Sequence, residues 1–294
     1  QQIIREVLEL SRSLSNINCK LSYLKGSAYI VRNIPACEGR IFSDIDVLVK
    51  KEYLSQVEFR LKMDHWLKSE IDDYDELYFR KWMHEIPPLQ HTKRGTILDV
   101  HHNILPLTNK DMPDASKFNF ETNNMAKIGN VLTLAPTDLC IHSAVHLFSE
   151  GEFEKGLRDI SDIDMLIRHF YSLDANFIKN LEKRGIELGL MSYLRKALKY
   201  SHAIFNTPLD GFLGSLNHNN KILAKLEEFC FLNVFKPFHS SSTNWKTAIA
   251  KFILFWRGHL KRMPLYVLIP HLIKKSIKRV QDLGKESDSL KQLP

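Results

Sequence analysis

Cysteine is scarce in this chain of 294 residues, with four in all: Cys19, Cys37, Cys140 and Cys230. No two of them stand in a C-x-x-C arrangement. That argues against a disulfide framework or a zinc knuckle and points to free thiols in a reducing cytoplasm. Long apolar runs are missing as well. Nowhere do about 18 uncharged apolar residues follow one another, so no membrane-spanning helix is expected. The opening residues, Gln1-Gln2-Ile3-Ile4-Arg5-Glu6, lack the apolar stretch of a secretory signal. No period suggests a solenoid. Acid is nearly absent from one stretch: between Trp245 and Lys285 ten Lys or Arg face a single acid, Asp282. That stretch carries +9 against a total of +7, which leaves the rest at −2. A near-neutral body with a basic tail is not a uniformly basic nucleic-acid coat.

What is present is globular. Hydrophobic residues make up 44% and charged residues 26%, enough apolar material for a core and too much for a disordered chain. The length suits one large or two modest domains. Ile3, Ile4, Val7, Leu10 and Leu14 recur near a period of about 3.6, which predicts an N-terminal helix. A short strand is expected over Lys20 to Leu24, then a short helix opened by Gly26-Ser27 and ended at Ile34-Pro35. Ile45 to Val49 is β-branched and reads as a strand. Tyr53 to Trp66 has helical spacing. Ile86 to Thr92, a turn at Lys93-Arg94-Gly95, and Thr96 to His102 read as a strand, turn and strand. Gly129 to Leu134 is one more strand. After Pro136 only helical patterns follow: Leu139 to Phe148, Glu154 to Phe170, Asp174 to Leu188, Met191 to Phe205 and Lys221 to Phe231. The fold expected is α+β, with a mixed-sheet core over 1–135 and a helical C-terminal domain over 136–294 that includes the basic tail.

Chemistry concentrates in Ser43-Asp44-Ile45-Asp46-Val47-Leu48-Val49. Side chains alternate along a strand, so Asp44 and Asp46 point one way and Ile45, Val47 and Val49 the other. Adjacent carboxylates repel unless a cation lies between them, and hard divalent ions such as Mg²⁺ take oxygen ligands in that arrangement. Asp99, in Ile97-Leu98-Asp99-Val100-His101, is a third acid on an apolar strand. If the two strands are neighbours, three carboxylates converge as a two-metal phosphoryl- or nucleotidyl-transfer site requires, with ions about 3.5–4 Å apart. Upstream, Leu24-Lys25-Gly26-Ser27 places a glycine and two donors at a helix start, a combination suited to phosphate.

The Gly-Ser turn, Asp-x-Asp and later lone Asp resemble the polymerase-β-like nucleotidyltransferase superfamily. Leu24-Lys25-Gly26, Arg40, Ser43 to Val49, Leu98-Asp99-Val100-His101, Leu157-Arg158 and Asp162-Ile163 together resemble a bacterial family of uncharacterised nucleotidyltransferases, over most of the chain to about residue 280. One departure is the segment from Arg32 to Ser43, which lengthens the separation of Gly-Ser from Asp-x-Asp. The resemblance implies that Asp44 and Asp46 hold both Mg²⁺ (or Mn²⁺) ions and Asp99 the second. It also implies that Lys25, Gly26, Ser27 and Arg40 hold a nucleoside triphosphate such as ATP. An acceptor oxygen would attack the α-phosphorus in line and pyrophosphate would leave. The acceptor, whether small molecule, protein or RNA, is left open.

Several features admit a plainer reading. Ser161-Asp162-Ile163-Asp164 repeats the strand phrase, but on a helix residues two apart diverge by about 200°, so Asp162 and Asp164 do not share an ion. Asp159 and Asp162 share a face with Arg158. That face belongs either to the cleft, with Arg158 and Asp162 at the nucleotide, or to solvent. His142 and His146, four apart on a helix with no third ligand in the pattern, read as a packed pair. His101 shares the face of Asp99. The tail mixes cations with Phe252, Trp256, Leu265 and Tyr266, and is a helical cap, an RNA surface or a contact for an anionic membrane. The alternative to an enzyme is a non-catalytic nucleotide- or RNA-binding regulator or a toxin–antitoxin component.

Overall fold

Neighbouring strands with buried, alternating apolar residues build the centre of a seven-stranded sheet. In the computed structural model, which describes residues 2–274 except 70, 126–127, 213–220, 238, 264, 267 and 271, the strands are β1 Ser22–Tyr23, β2 Asp44–Leu48, β3 Trp66–Lys68, β4 Leu89–His91, β5 Ile97–His101, β6 Phe120–Met125 and β7 Gly129–Leu134. Their spatial order is β3-β4-β5-β2-β1-β7-β6. β2 runs parallel to β5 and β1 parallel to β7, while the remaining pairs are antiparallel, so the sheet is mixed. Ile45 and Val47 of β2 and Leu98 and Val100 of β5 are buried on one face. Their alternates, the acids, therefore share the other.

The helices are α1 Gln2–Ser13, α2 Lys25–Val31, α3 Leu54–Met63, α4 Asp73–Trp82, α5 Pro136–Ser149, α6 Gly156–Leu173, α7 Phe177–Glu187, α8 Met191–Phe205, α9 Lys221–Val234 and α10 Trp245–Arg262. Everything after β7 among the described elements is helical, as the sequence pattern predicts. Most buried apolar side chains, from Ile3 to Leu254, belong to one cluster, and Tyr78, Met83, Met263 and Leu268 form a second. Two buried ion pairs fasten distant segments to the first. Glu6 of α1 accepts from Arg94 at 2.6 and 2.8 Å and from Thr96 at 3.0 Å, which docks α1 on the β4–β5 turn. Asp138 of α5 accepts from Arg184 of α7 at 2.7 and 2.8 Å and from the Asn119 amide at 2.8 Å.

Several elements differ from expectation for local reasons. The helix expected to reach Trp66 stops at Met63, because His65 takes a positive φ of 67° and turns the chain into β3. The strand expected from Ile86 begins only at Leu89. Pro87 and Pro88 have no N–H to give a ladder. α4 has an Asp72 N-cap that accepts from the Asp75 amide at 2.7 Å, a start signal the apolar spacing does not carry. β6 is largely exposed and polar, an edge strand without apolar alternation.

α10 is one helix of 18 residues. Ala250, Leu254 and Gly258 face inward. A Cβ at Gly258 would overlap the backbone of Glu150 and Gly151, so glycine sets how closely α10 approaches the α5–α6 connection. Trp245, Phe252 and Trp256 face outward. No helix among the described residues is long and apolar enough to cross a membrane. Lys275, Lys278, Arg279, Asp282 and Lys285 of the basic tail lie outside the described residues.

Truncating Leu98, which is fully buried in β5, removes packing that the central strands cannot readily replace. Leu98→Ala is expected to lower unfolding free energy by about 2–5 kcal/mol, read from urea denaturation.

Candidate active site

The site begins with strand register. Asp46 of β2 lies directly opposite Asp99 of β5, and Asp44 opposite Ile97. Asp44 is exposed, Asp46 is 4% exposed and Asp99 is half-buried. The three acids share a face of two hydrogen-bonded strands, with Asp46 in the middle.

Asp46 is held by two groups on one oxygen. Lys25 Nζ donates to Oδ1 at 2.7 Å. His101 Nε2 lies 3.1 Å from the same atom, and His101 Nδ1 lies 3.2 Å from Glu85 Oε2. Burial drives the Asp46 carboxyl up, but the Lys25 ammonium and the His101 ring outweigh it and hold the group well below the usual carboxylate range. The partner shifts consistently: burial pulls Lys25 down, while Asp46, helped by Glu85 and Glu150, leaves it above the ordinary lysine value. Asp99 goes the other way, to about 7, first through burial and then through repulsion by Asp46 and Glu85. The pattern separates two adjacent acids into one firmly ionised and one able to exchange a proton near neutrality.

Lys25 is positioned by strain. Its φ of +45° is left-handed, a conformation that costs a non-glycine residue about 1–2 kcal/mol. Leu24, just before it, donates its amide to the Asp46 carbonyl at 2.9 Å, tying the α2 start to β2. At Gly26 a Cβ would overlap the Phe42 ring, so glycine here admits the aromatic ring of the long segment between α2 and β2. Ser27 does not serve as the free donor expected of it. It is buried, its hydroxyl donates to the Leu24 carbonyl at 2.7 Å, and it does not line the cavity.

A cavity of about 440 Å³ opens in front of Asp44 and Asp46. Lys25, Gly26, Arg40, Arg158 and Asp162 all line it, so the structure brings most of the sequence-derived candidates to one space; Asp99 stands beside Asp46 outside the wall. Arg40 Nη1 donates to both oxygens of Asp162 at 2.6 and 2.5 Å, and its guanidinium sits 4.8 Å from the Phe42 ring. Arg158 is paired with Asp159 through bonds of 2.7 and 2.5 Å. Asp164 turns away to Arg168, at 2.8 and 3.0 Å, and to Thr207, as helical periodicity predicts. The α6 face of Asp159 and Asp162 thus belongs to the cleft. Seven carboxylates and four Lys or Arg line the wall, an excess of acid that disfavours a bare polyphosphate and favours one accompanied by cations.

Behind Lys25 a smaller cavity of about 30 Å³ touches His84, His101, His142 and His146. His142 and His146 have ring centroids 6.5 Å apart, and His146 Nε2 lies 3.0 Å from Glu150. Burial first, then neighbouring cations, lowers His142 to about 3, so that ring is neutral. Sequence reasoning passed over His84 and Glu85, because they sit in an irregular stretch between α4 and the two prolines.

A family model described as uncharacterised nucleotidyltransferase matches residues 1–206. The chain belongs to this family. Its general class of activity is therefore nucleotidyl transfer, and the match takes in every acid and base placed around the cavity above. It ends before α9 and α10 and so is shorter than the resemblance expected to residue 280. An antigenic nucleotidyltransferase-like protein of Paracoccidioides brasiliensis is 15% identical, with a TM-score of 0.39, over 69% of this chain and 96% of that one; a likeness so distant bears no further weight. No curated protein matches the chain.

Asp162 supplies a pH test. Burial raises its carboxyl from 3.8 to about 6 despite the opposing pull of Arg40. Between about pH 4 and about pH 6 the unfolded chain ionises this group while the folded chain retains its proton, so stability falls as pH rises through that window. Asp162→Asn lacks the titration. Denaturation at a series of pH values should show the variant gaining on the wild type from about pH 4 to about pH 6 and holding level above. Parallel curves would contradict the burial argument.

Proposed function

We propose that the chain is a Mg²⁺- (or Mn²⁺-) dependent nucleotidyltransferase that moves a nucleoside monophosphate from a nucleoside triphosphate to an acceptor and releases pyrophosphate. The observation that carries this reading is the register of Asp46 against Asp99, with Asp44 on the same face, at the edge of a cavity lined by Lys25, Arg40 and Arg158.

The donor set suits hard divalent ions: three carboxylates, one of them exposed, and a cavity wall rich in acid. Asp44 and Asp46 would hold the ions, with Asp99 completing the second position. Bound there, the ions would neutralise triphosphate charge and stabilise the charge that develops on phosphate oxygens. Lys25 then has a second role. Its ammonium neutralises Asp46 in the free chain and is free to turn to phosphate once that charge is met otherwise. The backbone at Gly26 and the guanidinium groups of Arg40 and Arg158 line the same cavity and would orient the phosphates, Arg40 after exchanging Asp162 for them. In the transfer, the bond from the α-phosphorus to the bridging oxygen breaks as the acceptor oxygen bonds to that phosphorus. The acceptor's proton passes to the Asp99 carboxylate, which lies opposite Asp46 in register. A nucleotide- or RNA-binding role without chemistry is the reading that would replace this one if no pyrophosphate appears with any triphosphate.

Changing Asp44 and Asp46 together to Asn should reduce transfer by on the order of 10³-fold or more. Pyrophosphate release from labelled triphosphates, against a panel of metabolites, RNA ends and the protein itself, measures it. Asp44→Asn alone, at an exposed position, should change stability by less than about 0.5 kcal/mol and still suppress transfer. Wild-type rates in the double variant would discard the assignment.

A further inference from the structure

We propose that His84, Glu85 and His101 form a second metal site, selective for a transition-metal dication such as Zn²⁺ and separate from the carboxylates that face the nucleotide cavity. One ligand atom from each of the three lies within 4.8 Å of the others. Two imidazoles and a carboxylate are the donors of borderline metals; Mg²⁺ prefers oxygen and keeps its water.

Three features hold this group in place before any ion arrives. The first is backbone: Glu85 and His101 form an antiparallel bridge, and the His102 amide donates to the His84 carbonyl at 2.8 Å. The segment from α4 is thereby fixed against the end of β5. The second is the far side of His101. Its Nε2 faces Asp46 Oδ1 at 3.1 Å while Nδ1 faces Glu85 at 3.2 Å. A histidine that ligates through one nitrogen commonly donates from the other to a carboxylate, which fixes its tautomer and ring plane. The third is an unmet need: His84 Nδ1 is buried without a hydrogen-bond partner. The cavity of about 30 Å³ that touches both rings is large enough for one water as a further ligand. Lys25 and Arg262 line the same cavity and oppose a dication. Asp46, Glu85 and Glu150 supply three carboxylates against those two cations. The role that follows is positional: an ion on His101 Nδ1 fixes the ring whose other nitrogen meets Asp46.

The site is tested with the full chain, stripped with chelator and titrated with Co²⁺ as a spectroscopic probe, with Zn²⁺ and Mg²⁺ as competitors. In excess Mg²⁺, which occupies the carboxylate site, one Co²⁺ per chain with visible ligand-field absorption is expected, displaced by Zn²⁺. His84→Ala and Glu85→Gln should each weaken binding at least ~10-fold, while Asp44→Asn leaves it unchanged. Circular dichroism reports folding of each variant. If His84→Ala does not fold, Glu85→Gln, which keeps the size of the side chain, decides alone. Wild-type affinity in Glu85→Gln, no retained Co²⁺, or loss of Co²⁺ to Mg²⁺ or to Asp44→Asn would each overturn the proposal. None of these readouts uses nucleotidyl transfer, so failure here is distinct from failure of the transferase reading.

Discussion

A carboxylate buried at the centre of a sheet is costly unless its charge is met, and Asp46 is met twice. The Lys25 ammonium and the His101 ring converge on one of its oxygens, and Glu85 closes the chain behind His101. Removing any one member would strand the charge of another. This requirement explains the local architecture: Lys25 adopts a left-handed backbone to reach Asp46, and the amide before it is bonded to the Asp46 carbonyl. It also accounts for the division of labour between adjacent acids. Asp46 draws the cations to itself, and at Asp99, opposite in register, burial and the Asp46 charge raise the affinity for a proton.

The same economy of charge runs through the cleft. Arg40 and Asp162 neutralise one another across the cavity, and Arg158 and Asp159 do so side by side on α6. Cations suited to phosphate are thus present but engaged. These internal pairs keep a highly charged wall stable while empty, and in the proposed reaction a triphosphate would exchange them for phosphate contacts. The long segment between α2 and β2 is part of that arrangement. Phe42 lies on Gly26, and Arg40, stacked on Phe42, reaches α6. Through Arg40 and Asp162 this segment joins the sheet to the helical half at the site.

The helices after β7 complete the core and the cleft wall. α5 supplies His142 and His146 behind Lys25, and α6 supplies Arg158 and Asp162 in front. α10 packs on the α5–α6 connection through Gly258 and turns Trp245, Phe252 and Trp256 outward. Its inner face, with Ala250, Leu254 and Gly258, is buried. Its outer face combines exposed aromatics with a helix that carries five Lys or Arg and no acid.

The amino-acid order alone determined a good deal. Alternation in Asp44 to Val49 and in Ile97 to His101 assigned the acids to one face and the aliphatics to the other, because a strand has a period of two whatever surrounds it. Helical spacing marked out α5 through α9 and separated Asp162 from Asp164 for the same kind of reason. Local signals failed where the determinant was a single backbone feature, as at His65, or where an edge strand carried no apolar pattern, as in β6. Register, pairing and exposure came only with the tertiary structure. Asp46 sits opposite Asp99 because β2 and β5 are neighbours across about fifty residues of intervening chain. Ser27 turns inward because the α2 start needs its hydroxyl, and His84 and Glu85 meet His101 through a bridge formed outside any regular strand. Contacts between residues far apart in sequence depend on the free energy of the whole packed chain, and no local pattern records them.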